Sequence, residues 1–279
     1  MLGWLTLMIT IAIAGREASH ELALFQIMET RSIIGILLLA PLVHRAGGLA
    51  GVRTTQLRWH ALRNSVHFVA QYGWFAALTL IPLAQVVAIE FTMPIWTALL
   101  AAAFLGERLY GGKIGAALLG LIGVALIVKP SADHVGAGQL IALGAAVGFA
   151  VSVTLTKRLT RTDSPVAIIF WMLVVQSLIG LVPALLSWRW PSTGTWGWVL
   201  LIAFCGTYSH YCMANALRNA EATLVVPMDF IRVPLTALAG WLIYGERVDM
   251  LAVAGTVLIL GANVLNLRRA PVVVRTRVA

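Results

Sequence analysis

Polar interruptions divide the chain into apolar stretches at about 2–20, 23–43, 60–81, 84–105, 112–129, 138–157, 166–188, 196–217, 222–244 and 250–267. At about 1.5 Å of rise per residue, each is long enough to cross most or all of a hydrocarbon core about 30 Å thick. The gaps are short and carry turn chemistry, as in Ile81-Pro82-Leu83, Lys129-Pro130-Ser131 and Pro191-Ser192-Thr193-Gly194. No room remains for a separate soluble domain. The pattern predicts an all-α integral membrane protein of ten transmembrane helices. The first stretch is the shortest, because Leu2 to Ala14 is followed at once by Gly15-Arg16-Glu17. Since no basic segment precedes it, we expect a short first helix with the recorded start a few residues late, rather than a cleaved signal.

Composition agrees with the pattern. Apolar residues make up 60% of the 279 and charged residues 11%, against about a quarter charged in a soluble protein. A net charge of +9 would suggest nucleic acid in a soluble chain, but here the basic residues crowd the gaps. With both termini inside, Arg45, Arg53, Arg58, Arg108, Lys113 and the tail from Arg268 all fall in inner segments, and few basic residues fall in outer ones. That is the positive-inside bias, so both termini are expected in the cytoplasm. Cys205 and Cys212 sit in one apolar run and read as packing residues.

The chain also repeats itself. Gly106-Glu107-Arg108 recurs as Gly245-Glu246-Arg247, an offset of 139 residues that also matches Tyr72 to Tyr211, Phe91 to Phe230 and Thr97-Ala98-Leu99 to Thr236-Ala237-Leu238. Two units follow, 1–130 and 131–279, each of five spans. Five is odd, so the second unit is expected to insert upside down, the inverted repeat of secondary transporters that bind substrate near the midplane.

At these residues the sequence resembles the drug/metabolite transporter superfamily, specifically its bacterial ten-helix members with two EamA-type domains. Phe25-Gln26-Ile27-Met28 leading to Arg31 is similar to the start of that family's second helix. Pro94-Ile95-Trp96-Thr97 to Gly106-Glu107-Arg108 resembles the end of its fourth, and Pro227 to Pro234 with Gly245-Glu246-Arg247 its ninth. Glu29-Thr30 departs from the apolar or aromatic residues common before the second-helix arginine. The resemblance implies transport across the bacterial inner membrane, without naming a cargo.

Ionisable groups inside a bilayer need a partner or a watery cavity. Glu90 and Asp229 are equivalent under the offset, and each should lie about 10 Å inside its own entry surface. With Arg232, one turn beyond Asp229, they are the expected substrate site, structural pairing being the alternative. The third span carries His60, Arg63, Asn64, His67, Gln71 and Trp74 on one stripe, and the eighth carries Tyr208, Tyr211 and Asn215. We expect His67, Gln71, Tyr211 and Asn215 to line the same cavity, with helix-bridging hydrogen bonds as the other role. Pro94 and Pro234 fall near mid-span as candidate gates or static bends. Gly112, Ala116 and Gly120, with Gly144 and Gly148, read as packing seams. The Gly-Glu-Arg turns read as helix caps.

No metal, nucleotide or catalytic motif is present, so neither an enzyme nor a cofactor is expected. Uphill movement must then draw on proton or exchange coupling. The expected cargo is a small polar or zwitterionic metabolite, such as an amino acid or amine, moved outward. Arg232 would meet its carboxylate, and Glu90 or Asp229 its ammonium. The runner-up is uptake of a vitamin whose ring stacks on Trp74, Trp96 or Tyr211. The partners are then a small molecule and the lipid bilayer, not nucleic acid, for a monomer or homodimer.

Overall fold

Breaks in the apolar pattern become helix ends in the computed structural model, which describes residues 2–81, 86, 89–107, 111–128, 136–232, 234, 235, 238 and 250–268. In chain order the helices are α1 (Leu2–Ser19), α2 (Leu24–Arg45), α3 (Leu57–Leu80), α4 (Met93–Leu105), α5 (Gly111–Val128), α6 (Ala137–Leu159), α7 (Pro165–Leu186), α8 (Thr193–Asn219), the single turn α9 (Ala222–Val225) and α10 (Met250–Arg268). No strand occurs among the described residues. α1 continues through Gly15, Arg16 and Glu17 to 18 residues, so the polar break does not end it as expected. α7 and α8 start where serine caps stand: Ser164 Oγ accepts from the Ala167 N–H and Ser192 Oγ from that of Thr195. α2, α6 and α7 are each long and apolar enough to cross a membrane. Leu37, Val69, Leu178 and Leu186 face outward from the bundle, as bilayer-facing residues do.

Four long seams hold the bundle: α3 along α6, α5 along α10, α1 along α8, and α2 along α7, with α2 also on α8 and α3 on α7. Small residues set the approach distances. A Cβ at Gly148 would sit 2.8 Å from the Ala70 Cβ, which brings α6 against α3. One at Gly123 would sit 2.7 Å from the Gly255 carbonyl, which brings α5 against α10. Gly144, expected in the same seam as Gly148, faces open space instead.

Polar groups tie the helix ends. Glu107 accepts from the backbone N–H groups of Ala222 at 2.9 Å and Thr223 at 3.0 Å, capping α9. Lys157 Nζ donates to the Leu217 and Ala220 carbonyls at the end of α8. At the opposite end Glu21 accepts from the Ser192 N–H at 2.6 Å, the Ser192 hydroxyl and the Thr195 hydroxyl. Arg108, the turns at 82–83, 129–131 and 245–247, Thr236 and the tail beyond Arg268 lie outside the described residues.

Candidate functional site

Helical geometry fails at matching places in the two halves. Ile89 and Glu90 are helical, Phe91 and Thr92 form a turn, and α4 then starts with Pro94 in its first turn, where a missing N–H leaves no intrahelical bond unmade. After α9 the chain tightens into a 3-10 segment, Val226–Ile231, with Pro227 in its first turn. Residues three apart nearly eclipse in such a segment, so Asp229 and Arg232 project on one side. The Arg232 Nη2 donates to Asp229 Oδ2 at 3.0 Å and to Glu90 Oε1 at 2.6 Å.

The other carboxylate oxygens are occupied by tryptophans. The Trp4 indole N–H donates to Asp229 Oδ1 at 2.8 Å, and that of Trp74 to Glu90 Oε2 at 2.8 Å. All four carboxylate oxygens thus accept a hydrogen bond. The guanidinium also lies over the Phe91 ring at 5.1 Å, and Phe91 packs on its counterpart Phe230 at 5.8 Å. Asp229 is 2% exposed, whereas the Glu90 and Arg232 side chains keep 13% and 15%. Two carboxylates share one guanidinium, so acidic groups outnumber the basic one. Indole donors from α1 and α3 can hold the carboxylates when the arginine shifts, and a cationic group can take its place.

Of the remaining expected residues, His67 and Gln71 lie on α3 and Tyr211 and Asn215 on α8. His67 lies in the interior against Ser152, with Nδ1 3.3 Å from the hydroxyl, and its ring meets those of Phe149 and His210. Gln71 Oε1 is buried with no hydrogen-bond partner among the described residues. Tyr211 packs on an apolar cluster of α2, α7 and α8 that includes Leu39, Ile168 and Leu173, and Asn215 donates to the Tyr211 carbonyl at 3.0 Å. Pro234 stands half-buried in the helical turn after Arg232. Arg63, on the same stripe of α3, donates to Thr156 Oγ1 at 3.1 Å and Asn64 Oδ1 at 2.6 Å. A groove of about 440 Å³ lined by Glu21, Ala23 and Leu186–Arg189 lies at the loop end and shares no lining residue with the triad.

Sequence reasoning missed Trp4, Gln176 and His210 as interior polar groups, and gave Arg31, a family landmark, no interior role. Arg31 was visible as a lone cation well inside an apolar run. Trp4 carried no such signal, because its partner is 225 positions away.

Comparison with known proteins matches residues 2–129 and 136–268 to the EamA-like transporter family. The chain is 31% identical to a riboflavin transporter of Vibrio cholerae, over 76% of this chain and 72% of that protein. It is 24% identical to an S-adenosylmethionine uptake transporter of Rickettsia prowazekii, over 86% and 81%. It is 29% identical to a pseudopaline exporter of Pseudomonas aeruginosa, over 88% and 87%. A solved crystal structure shares its fold at a TM-score of 0.81 and 19% identity, covering 96% of this chain and 95% of that one. The family and these relatives are transporters, not enzymes.

Proposed function

The chain belongs to the EamA-like transporter family, and on that premise we propose that it is a secondary-active exporter of small polar or zwitterionic metabolites such as amino acids or amines. It would work by alternating access in the bacterial inner membrane, with ten spans in two inverted units, 1–130 and 131–279, and both termini cytoplasmic. The helix pairing supports the two units. Exchanging each helix with the one five places on turns α1–α8 into α6–α3 and α2–α8 into α7–α3, while α2–α7 and α5–α10 map onto themselves.

The observation that carries the substrate class is the convergence of Glu90 and Asp229, equivalent residues of the two halves, on one nitrogen of Arg232. Such a group is bistable. An ammonium can replace the guanidinium between the carboxylates and release it. His67 and Gln71 are proposed to line the path beside it, with Tyr211 and Asn215 flanking it on α8. Pro94 and Pro234 are proposed as gates, supported by the helix breaks at 91–92 and 226–231. Proton or exchange coupling would supply the driving force.

Uptake of a radiolabelled metabolite panel by proteoliposomes, in both orientations, tests the reading. Zwitterions should move and compete with one another. A second reading, uptake of a ring-bearing vitamin, is favoured by the 31% identity to the riboflavin transporter. Competition by planar aromatics and not by zwitterions would establish it in place of the first.

A further inference from the structure

Two arginines stand in the interior with only neutral partners. Arg31 on α2 is 5% exposed and Arg63 on α3 is 4% exposed. Arg31 Nη2 donates to Gln176 Oε1 at 2.5 Å, and Arg63 spends its donors on Thr156 and Asn64. Neither meets a carboxylate among the described residues. Of the buried acids, Glu29, on the same helix as Arg31, accepts from Ser177 with one oxygen while its Oε2 has no hydrogen-bond partner among the described residues, and Asp163 is held at 2.6 Å by both His60 and Thr54. The two guanidiniums repel each other, and both act on His67 and His210, whose rings meet edge to face at 5.2 Å. Burying a charge is costly even with a counterion. Among the described residues, two charges of one sign are buried here with no carboxylate bonded to either.

Donors around them also stand unused. Arg31 Nε, Gln176 Nε2 and Thr207 Oγ1 are buried without a hydrogen-bond partner among the described residues. Bare glycines let these side chains pack close: a Cβ at Gly206 would sit 2.9 Å from Arg31 Cδ, and one at Gly35, a turn along α2, would sit 2.6 Å from Thr207 Oγ1. Helices α2, α3, α7 and α8 therefore converge on a positive interior with unfilled hydrogen-bonding capacity, which is what an oxyanion satisfies.

We propose that Arg31 and Arg63, with Gln176 and Thr207, receive the oxyanion end of the transported solute, a carboxylate or a phosphate. The inference rests on the transport reading for the solute itself. Trp4 links this site to the acidic one: its N–H is bonded to Asp229 while its ring meets the His210 ring at 5.6 Å, and His210 touches His67. An extended zwitterion, its charges farther apart than the ammonium and carboxylate of an α-amino acid, lies along that line with its cationic end at the Glu90, Asp229 and Arg232 group and its anionic end at Arg31 and Arg63. Arg232 then serves as the counterion that the substrate ammonium displaces.

The test uses the purified full chain in detergent at constant ionic strength, with sodium acetate or sodium phosphate replacing sodium chloride, and follows melting temperature and tryptophan fluorescence. Acetate or phosphate should stabilise the protein saturably beyond chloride, the stronger of the two identifying the oxyanion. Arg31→Gln and Arg63→Gln should weaken that response about ten-fold or more, while the exposed Arg161→Gln leaves it unchanged. Thr207→Val, which removes a hydroxyl at nearly constant shape, should weaken it too and serves if an arginine variant does not fold. In chloride Arg31→Gln should melt no lower than wild type, because it removes an uncompensated buried charge. No oxyanion response in wild type, or responses unchanged in all three site variants, overturns the inference. So does a lower melting temperature of Arg31→Gln with its oxyanion response intact, which marks a structural brace. Transport is measured on the same preparations. Transport without an oxyanion response defeats this inference alone, and an oxyanion response without transport of any panel member defeats the exporter reading alone.

Discussion

Glu90 and Asp229, 139 positions apart in the chain, each place one oxygen on the same nitrogen of Arg232, at 2.6 and 3.0 Å. One guanidinium thereby joins the broken segment before α4 to the 3-10 segment after α9. Breaking that join by a shift of Arg232 frees both carboxylates at once, while Trp74 and Trp4 keep each in place.

If this exchange is the transport step, Glu90→Gln and Asp229→Asn should each lower the transport rate about ten-fold or more with membrane insertion preserved, since the amides keep the shape and lose the charge. Asp229→Asn combined with Arg232→Gln separates this from mere bracing. The double variant should remain inactive in proteoliposomes, and recovery of wild-type rates would make the pair structural.

If the two units are inverted, residues 106–108 and 245–247 face opposite sides of the membrane. After replacement of the buried Cys205 and the half-buried Cys212, a reporter cysteine near Lys113 should be shielded in intact cells, and one near Asp249 should react with an impermeant maleimide. Equal labelling of the two would defeat the inverted arrangement.

Glu107 holds two backbone donors at the start of α9, close in sequence to the 3-10 segment that carries Asp229. Glu107→Ala should cost about 1–2 kcal/mol, the size of a lost helix cap, read as a lower melting temperature. Because the cap also orients α9, transport should fall with it.

At the loop end, the Thr195 hydroxyl, then the Ser192 N–H and hydroxyl, hold the Glu21 carboxyl below its ordinary value of 4.5. A carboxyl lowered on folding stabilises the fold above its unfolded value, and the contribution disappears as pH falls through the folded one. Melting temperature should therefore drop below about pH 4.5 less steeply in Glu21→Gln than in wild type. Parallel acid limbs would remove Glu21 from the account.

Phe230 lies on α5 only because Gly120 is bare there: a Cβ would come within 2.3 Å of the ring. Gly120→Ala should push Phe230 off its seat against Phe91 and cost about 1–3 kcal/mol. The variant should also shift the ring that braces the Arg232 segment, so transport is expected to fall together with the melting temperature.

Hydrophobic run length and short turns were enough to place most helices, because a chain in lipid must satisfy its backbone within each segment and apolar length is then the governing quantity. Equivalence of Glu90 and Asp229 was legible for a related reason: a repeat preserves spacing, and spacing is a property of sequence. The common partner of the two carboxylates is a tertiary fact. Arg232 reaches Glu90 only because a 3-10 segment turns it toward a helix 142 positions away, and Trp4 reaches Asp229 only because α1 packs beside α8 across the bundle. Likewise Arg31 is a lone cation in an apolar run when read along the chain. That it and Arg63 lie beside two histidines with no carboxylate bonded to either among the described residues is decided by packing four helices together, since charge balance in a low-dielectric interior depends on neighbours in space and not on neighbours in sequence.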